Sequence, residues 1–279
     1  MRTKTYTIIL LAAVVAAAGL PAGNAQLSTT ATVGNLVPTI QDVAVPASVD
    51  PTAGTTTSVP VTITVADSNG YQDIVAVDVT VYKPDGSTVH VPTGSAASNG
   101  DGSGVAETFA FAFDMAHYDA PATGNDTYKV RAAAEDATGA LSASFEATFS
   151  YTELVAMSLD AGELAFGALE PGQRSSVSTL TVTNEGNTFI DLDTQGTDLS
   201  DGEGHAIGVE RIKYDLANSN MSSEQSLTPT TFTNTGFDLA YGPAASQSTW
   251  WQLDTPSGEE QYLPSGSYSG SVTLSAVQG

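Results

Sequence analysis

The stretch Asp67-Ser-Asn-Gly-Tyr-Gln-Asp73 sets three oxygen-bearing side chains, Asp67, Asn69 and Asp73, around Gly70. Side-chain oxygens converging on a tight turn are what a hard cation such as Ca²⁺ takes. The spacing is not that of an EF-hand, because the glycine stands fourth in the loop and not sixth. A second acidic loop carries Asp198, Asp201, Glu203 and His205. Both loops admit a plainer reading, a solvated turn in which Asp and Asn bond their own backbone. No other cofactor is indicated.

Catalytic chemistry finds little to work with. The chain has no Cys and three His, at 90, 117 and 205, in unrelated settings. "GSYSG" (Gly266 to Gly270) puts Tyr268 where a nucleophile elbow needs serine. Asp191/Asp193 and Glu259/Glu260 have the residue types of glycosidase acids, but such pairs arise freely among 31 acidic residues. The sequence therefore reads as that of a protein that is not an enzyme.

Binding chemistry has more candidates. Trp250 and Trp251 are adjacent, so on a strand one enters the core and the other faces out. An outward tryptophan, with Tyr262, could stack on a sugar or anchor a protein interface. The plainer reading is packing between domains. Asn125 (Asn-Asp-Thr) and Asn220 (Asn-Met-Ser) fit the N-glycosylation pattern and fall in predicted loops.

The elements that must position these residues are strands. Val59, Val61, Ile63 and Val65 alternate with proline and threonine, and Val75, Val77, Val79 and Val81 with Ala76, Asp78 and Thr80. Phe109, Phe111 and Phe113 follow, then Tyr128, Val130, Ala132 and Ala134, then Phe145, Ala147, Phe149 and Tyr151. "YKPDGST" (Tyr82 to Thr88) predicts a hairpin, with Pro84 presetting φ and Gly86 taking positive φ. Met115 to Tyr118 predicts one short helical turn. Residues 38–152 thus read as an antiparallel sandwich. The pattern restarts over 153–279, with two short strands before a Pro171-Gly172 turn and another turn at Asn184 to Asn187. Further strands are predicted near residues 207–217, 230–240, 248–254 and 271–276. Sustained helical periodicity and βαβ alternation are both missing, so the fold class is all-β: two tandem antiparallel sandwiches.

The ends complete the organisation. Residues 1–25 read as a cleaved signal peptide: Arg2 and Lys4, an apolar run from Ile8 to Leu20, and small residues before Gln26. The run is shorter than the roughly 20 residues of a membrane-spanning helix. No later stretch is apolar enough to span, so no transmembrane anchor is expected and the protein reads as secreted to the cell surface. Residues 26–37 form an arm in which Leu27, Thr29, Ala31 and Val33 alternate with polar residues. It is suited to pairing with its own sheet, to adding a strand to a neighbour, or to a free tail.

All 31 Asp and Glu follow Ala25, with only six Lys and Arg, a formal charge of about −25 beyond that point. Nucleic acid is excluded as a partner, because phosphate contacts need basic patches. Low Lys with abundant acidic residues resembles the proteins of salt-loving archaea; an ordinary acidic secreted protein is the alternative.

Two stretches carry a family resemblance. "TVADSNGYQDIVAVDVTVYKPDGS" (Thr64 to Ser87) resembles the immunoglobulin-like domains of archaeal and bacterial surface proteins. "LEPGQRSSVSTLTVTNEGN" (Leu169 to Asn187) with "LPSGSYSGSVTLSA" (Leu263 to Ala276) is similar to a second immunoglobulin-like class used in surface and filament subunits. The resemblance implies two immunoglobulin-like domains at the cell surface and transfers no catalytic residue. The expected function is that of a non-catalytic structural protein, a pilus-like filament or envelope subunit assembling by strand donation. Its partners are further copies or other surface proteins. The alternative is an adhesin or carbohydrate-binding module using Trp250, Trp251 or Tyr262 on a glycan.

Overall fold

A computed structural model describes residues 28–122 and 124–279. The signal peptide expected over residues 1–25, and Leu27 of the arm, lie outside the described residues. Leu36–Gly279 forms one compact unit. Residues 28–35, taken by themselves, are exposed and belong to no strand, with Val33 at 83% exposure.

The first group of strands is β1 (Thr39–Ala44), β2 (Ser48–Val49), β3 (Thr56–Ala66), β4 (Ile74–Tyr82), β5 (Val89–Ser95), β6 (Ala97–Ser98), β7 (Ala106–Ala116), β8 (Tyr128–Asp136) and β9 (Phe145–Tyr151). They form a four-stranded sheet, β1-β3-β7-β6, and a five-stranded sheet, β2-β9-β8-β4-β5. The pairings are antiparallel except β2 with β9. One core lies between the sheets: Val59, Val61, Ile63 and Val65 of β3 and Phe109 and Phe113 of β7 face Val77, Val79 and Val81 of β4 and Tyr128 and Val130 of β8. Period-two alternation puts such residues on one face of each strand, where burial of apolar surface stabilises the sandwich.

Two details of this group differ from the sequence reading. Val75 is 57% exposed and Ile74 is buried in its stead, because a register shift between Ile74 and Ala76 interrupts the alternation. Met115 and Ala116 end a strand and His117 and Tyr118 form a turn, so the predicted helical turn is missing there. The described residues instead hold 3-10 turns at Tyr71–Asp73 and Val209–Arg211. The Tyr82 hairpin forms as predicted: Gly86 has φ 69°, and Lys83 N–H donates to the Thr88 carbonyl.

The second group is β10 (Met157–Leu159), β11 (Ser178–Asn184), β12 (Ile190–Gly196), β13 (Leu199–Ser200), β14 (Ala206–Ile207), β15 (Ile212–Asp215), β16 (Gln225–Ser226), β17 (Phe232–Leu239), β18 (Ser246–Leu253) and β19 (Val272–Gln278). A five-stranded sheet, β10-β11-β18-β15-β16, packs against a three-stranded one, β17-β12-β19, with β13 and β14 paired apart. Leu180, Tyr214, Trp251 and Leu253 fill one part of this core, and Val182, Ile190, Leu192 and Phe237 another. Of the two short strands expected between Leu154 and Pro171, β10 forms, whereas residues 160–177 contribute no strand. Leu164, Phe166 and Leu169 there pack on the core without joining a ladder.

Candidate functional site

The loop between β3 and β4 and the turn between β8 and β9 meet at one end of the first sandwich. Asp67, Asp73 and Asp136 each bring one carboxylate oxygen to within 4.8 Å of the other two. Asp67 and Asp136 are both 1% exposed. Local geometry explains how the loops reach this arrangement. Asp67 Oδ1 accepts the Asn69 N–H at 2.7 Å, the turn closes through Gly70 at φ 118°, and the 3-10 turn then delivers Asp73. Asp136 Oδ1 accepts the N–H groups of Thr138 and Ala140 and the Thr138 hydroxyl. Ala137 N–H donates to the Asp73 carbonyl at 2.8 Å and so ties the two loops together.

Sequence reasoning grouped Asp67 and Asp73 with Asn69. The carboxamide oxygen of Asn69 accepts the Leu36 N–H at 2.8 Å, and the third carboxylate is Asp136. That residue lies far along the chain, and its only local signal is an Asp-Ala-Thr-Gly turn at the end of an alternating strand. In the second acidic loop the carboxylates serve the backbone. Asp198 Oδ1 accepts the Val209 N–H, and Asp201 Oδ1 accepts those of Glu203 and His205.

The adjacent tryptophans divide as strand geometry requires. Trp251 is 0% exposed, stacks on Tyr214 at 5.3 Å and donates its indole N–H to Thr249 Oγ1 at 2.8 Å. A ring without exposed surface has no face to offer, so Trp251 is corrected from candidate binder to core residue. Trp250 is half-buried. Tyr262 is 74% exposed, with its ring edge-on to His205 at 6.0 Å. Asn125 and Asn220 are both exposed.

The three histidines stand apart. His90 lies 3.4 Å from Asp119, His117 is edge-on to Tyr118, and His205 Nδ1 is 2.7 Å from Asp201. Burial pushes the His90 pKa down, opposed by the Asp119 carboxylate.

An open groove of about 910 Å³ runs beside β19, lined by Leu164, Phe166, Leu199, Ile207, Val272 and Leu274 among others. β19 is an edge strand, paired with β12. Among the described residues, no helix is long and apolar enough to cross a membrane.

No protein-family model matches the chain, and no curated protein matches it. Among solved structures it is similar to a chain of the chaperone–tip adhesin complex of CFA/I fimbriae biogenesis, at 8% identity and TM-score 0.32 over 87% of this chain and 83% of that one. It is also similar to a mutant of CfaE, the CFA/I adhesin of enterotoxigenic E. coli, at 8% identity and TM-score 0.26 over 87% and 81%. A third likeness is to chitinase ChiA74 from Bacillus thuringiensis, at 13% identity and TM-score 0.24, covering 85% of this chain and 29% of that one. At TM-scores this low none of these likenesses carries an argument.

Proposed function

We propose that the protein is a non-catalytic structural protein of the cell surface, a filament or envelope subunit whose copies associate through the arm. The observation that carries this reading is a groove of about 910 Å³ beside the edge strand β19, lined by apolar side chains such as Phe166 and Leu274 together with polar ones such as Ser269 and Ser271. An edge strand presents unpaired backbone groups, and an incoming strand satisfies them while its alternate side chains enter the adjoining groove. The arm has the matching pattern: Leu27, Thr29, Ala31 and Val33 on one face, Ser28, Thr30 and Thr32 on the other. Its described part is exposed. Donation from copy to copy is heterologous, and such contacts build filaments when they do not close. The burial of Trp251 weakens the rival sugar-binding reading, which then rests on Trp250 and Tyr262.

The test compares the protein from Gln26 with a truncated protein starting at Val37, by light scattering and negative-stain microscopy in molar KCl. The full-length form should assemble and the truncated form should stay folded and monomeric. Ala31→Asp should also abolish assembly, because it would bury an unpaired charge in the groove. Equal assembly in all three, or monomers in all three, would sink the reading.

A further inference from the structure

We propose that Asp67, Asp73 and Asp136 bind one Ca²⁺ ion that clips the β3–β4 loop to the β8–β9 turn. Two independent observations support the site. One oxygen from each carboxylate lies within 4.8 Å of the others, a spacing that a cation ligated at 2.3–2.6 Å can bridge. In addition, Asp67 is 1% exposed and its Oδ2 has no hydrogen-bond partner. A buried anionic oxygen without a donor is costly unless a counter-charge meets it.

The turn itself does not need that anion. Its backbone bond uses Asp67 Oδ1 alone, and an asparagine would supply the same acceptor without the second charged oxygen. Among the described residues the arginines are committed elsewhere, Arg131 to Glu146, Arg174 to Glu224 and Asp254, and Arg211 to Glu260. A divalent cation would supply the positive charge that these arginines do not bring to Asp67. Ca²⁺ fits better than Mg²⁺, because it accepts irregular oxygen shells whereas Mg²⁺ demands near-ideal octahedral geometry and keeps its waters. The bound ion would lock together loops already joined by the Ala137-to-Asp73 backbone bond, next to the loop residue that receives Leu36 N–H.

The chelator-treated protein from Gln26 is titrated with CaCl₂ by calorimetry in molar KCl, where a Debye length of about 3 Å suppresses diffuse binding to the acidic surface. Tb³⁺ luminescence, excited through tyrosine with Tyr71 in the loop, gives a second readout. One Ca²⁺ per chain is expected, with Mg²⁺ at least about tenfold weaker. Asp67→Asn and Asp136→Asn should each weaken Ca²⁺ about tenfold or more, while the exposed Glu259→Gln should not. Under chelator, Asp67→Asn should be at least as heat-stable as the parent, since it removes the uncompensated anion. If Asp136→Asn does not fold, Asp67→Asn decides alone. Absence of saturable binding, or equal binding by Asp67→Asn and the parent, would overturn the site; equal affinity for Mg²⁺ would overturn its assignment to Ca²⁺.

Discussion

Asp215 shows how single carboxylates organise this loop-rich molecule. It ends β15 at 2% exposure. Its Oδ1 accepts the N–H groups of Ala217 and Asn218, and its Oδ2 accepts that of Ser223. Burial pushes its pKa up, but the N–H groups of Ala217, Ser223 and Asn218 together hold it below the usual carboxylate value. Asp85, on the first sandwich, is held at about 2 by the Thr88 hydroxyl and the N–H groups of Thr88 and Ser87. A carboxylate whose folded pKa is depressed adds stability that is present above its unfolded value near 3.8 and is lost as pH falls through the folded value. The depressed His90 works in a higher window: the folded state favours its neutral form, so stability falls as pH drops below about 6.5. Asp215→Ala should cost about 1–3 kcal/mol at pH 7, by leaving buried donors unmatched. Asp215→Asn keeps one acceptor and should cost less. Urea unfolding at pH 7 and at pH 3 checks both, and the gap between parent and Asp215→Ala should narrow at the lower pH. An unchanged gap would show that the charge on Asp215 does not contribute.

At the scale of elements, alternation was legible wherever a strand stayed in register. Val59 through Val65 and Tyr128 through Ala134 point inward as read, because a period of two needs no knowledge of the partner strand. Val75 was misread because a bulge depends on the facing strand, here β8. Asp136 was missed for the same kind of reason: which loops share an end of a sandwich is decided by strand order, and one strand's periodicity is silent on that. The turn at Asn184 to Asn187 was legible as a turn but not in its role. Asn187 clamps the stretch after β9, accepting the Leu154 N–H at 2.7 Å and donating to the Thr152 carbonyl at 2.9 Å. Glu185 adds an N–H bond to the Ala156 carbonyl, and its own carbonyl receives Gly54 N–H from the first group of strands. Gly186 permits this contact, since a Cβ there would lie 2.1 Å from the Leu154 carbonyl oxygen. Gly186→Ala should therefore displace the 152–156 segment at a cost of about 1–3 kcal/mol, while both cores stay intact. Limited proteolysis should then cut faster within 152–156 and X-ray scattering should report a larger radius of gyration. Unchanged proteolysis would show that the clamp is not needed to hold the junction.

At the scale of the whole molecule the dominant fact is charge. Six Lys and Arg after Ala25 cannot neutralise 31 carboxylates. The arginines that do pair bind Glu146, Glu224, Asp254 and Glu260, which leaves a strongly negative surface. Such a surface repels itself, and the repulsion acts against the compact state. Screening decides how much this matters: the Debye length is about 10 Å at 0.1 M salt and about 3 Å at 1 M. The salt-adapted character expected from the composition makes a thermodynamic prediction. The melting temperature should rise between dilute buffer and molar KCl, by about 2–4 °C for each kcal/mol of repulsion removed. KCl is the proper salt, because sulfate would strengthen apolar burial by exclusion from the surface and raise the melting temperature on its own. Chelator must be present throughout, so that Ca²⁺ at Asp67, Asp73 and Asp136 does not add a shift of its own. The direction separates this effect from the local ion pairs, because screening weakens the Arg174 pairs and would by itself lower the melting temperature. A rise therefore means that net repulsion outweighs them. A melting temperature that stays flat or falls would mean that the carboxylates are spaced widely enough to be tolerated in water, and the salt-adapted reading would fail.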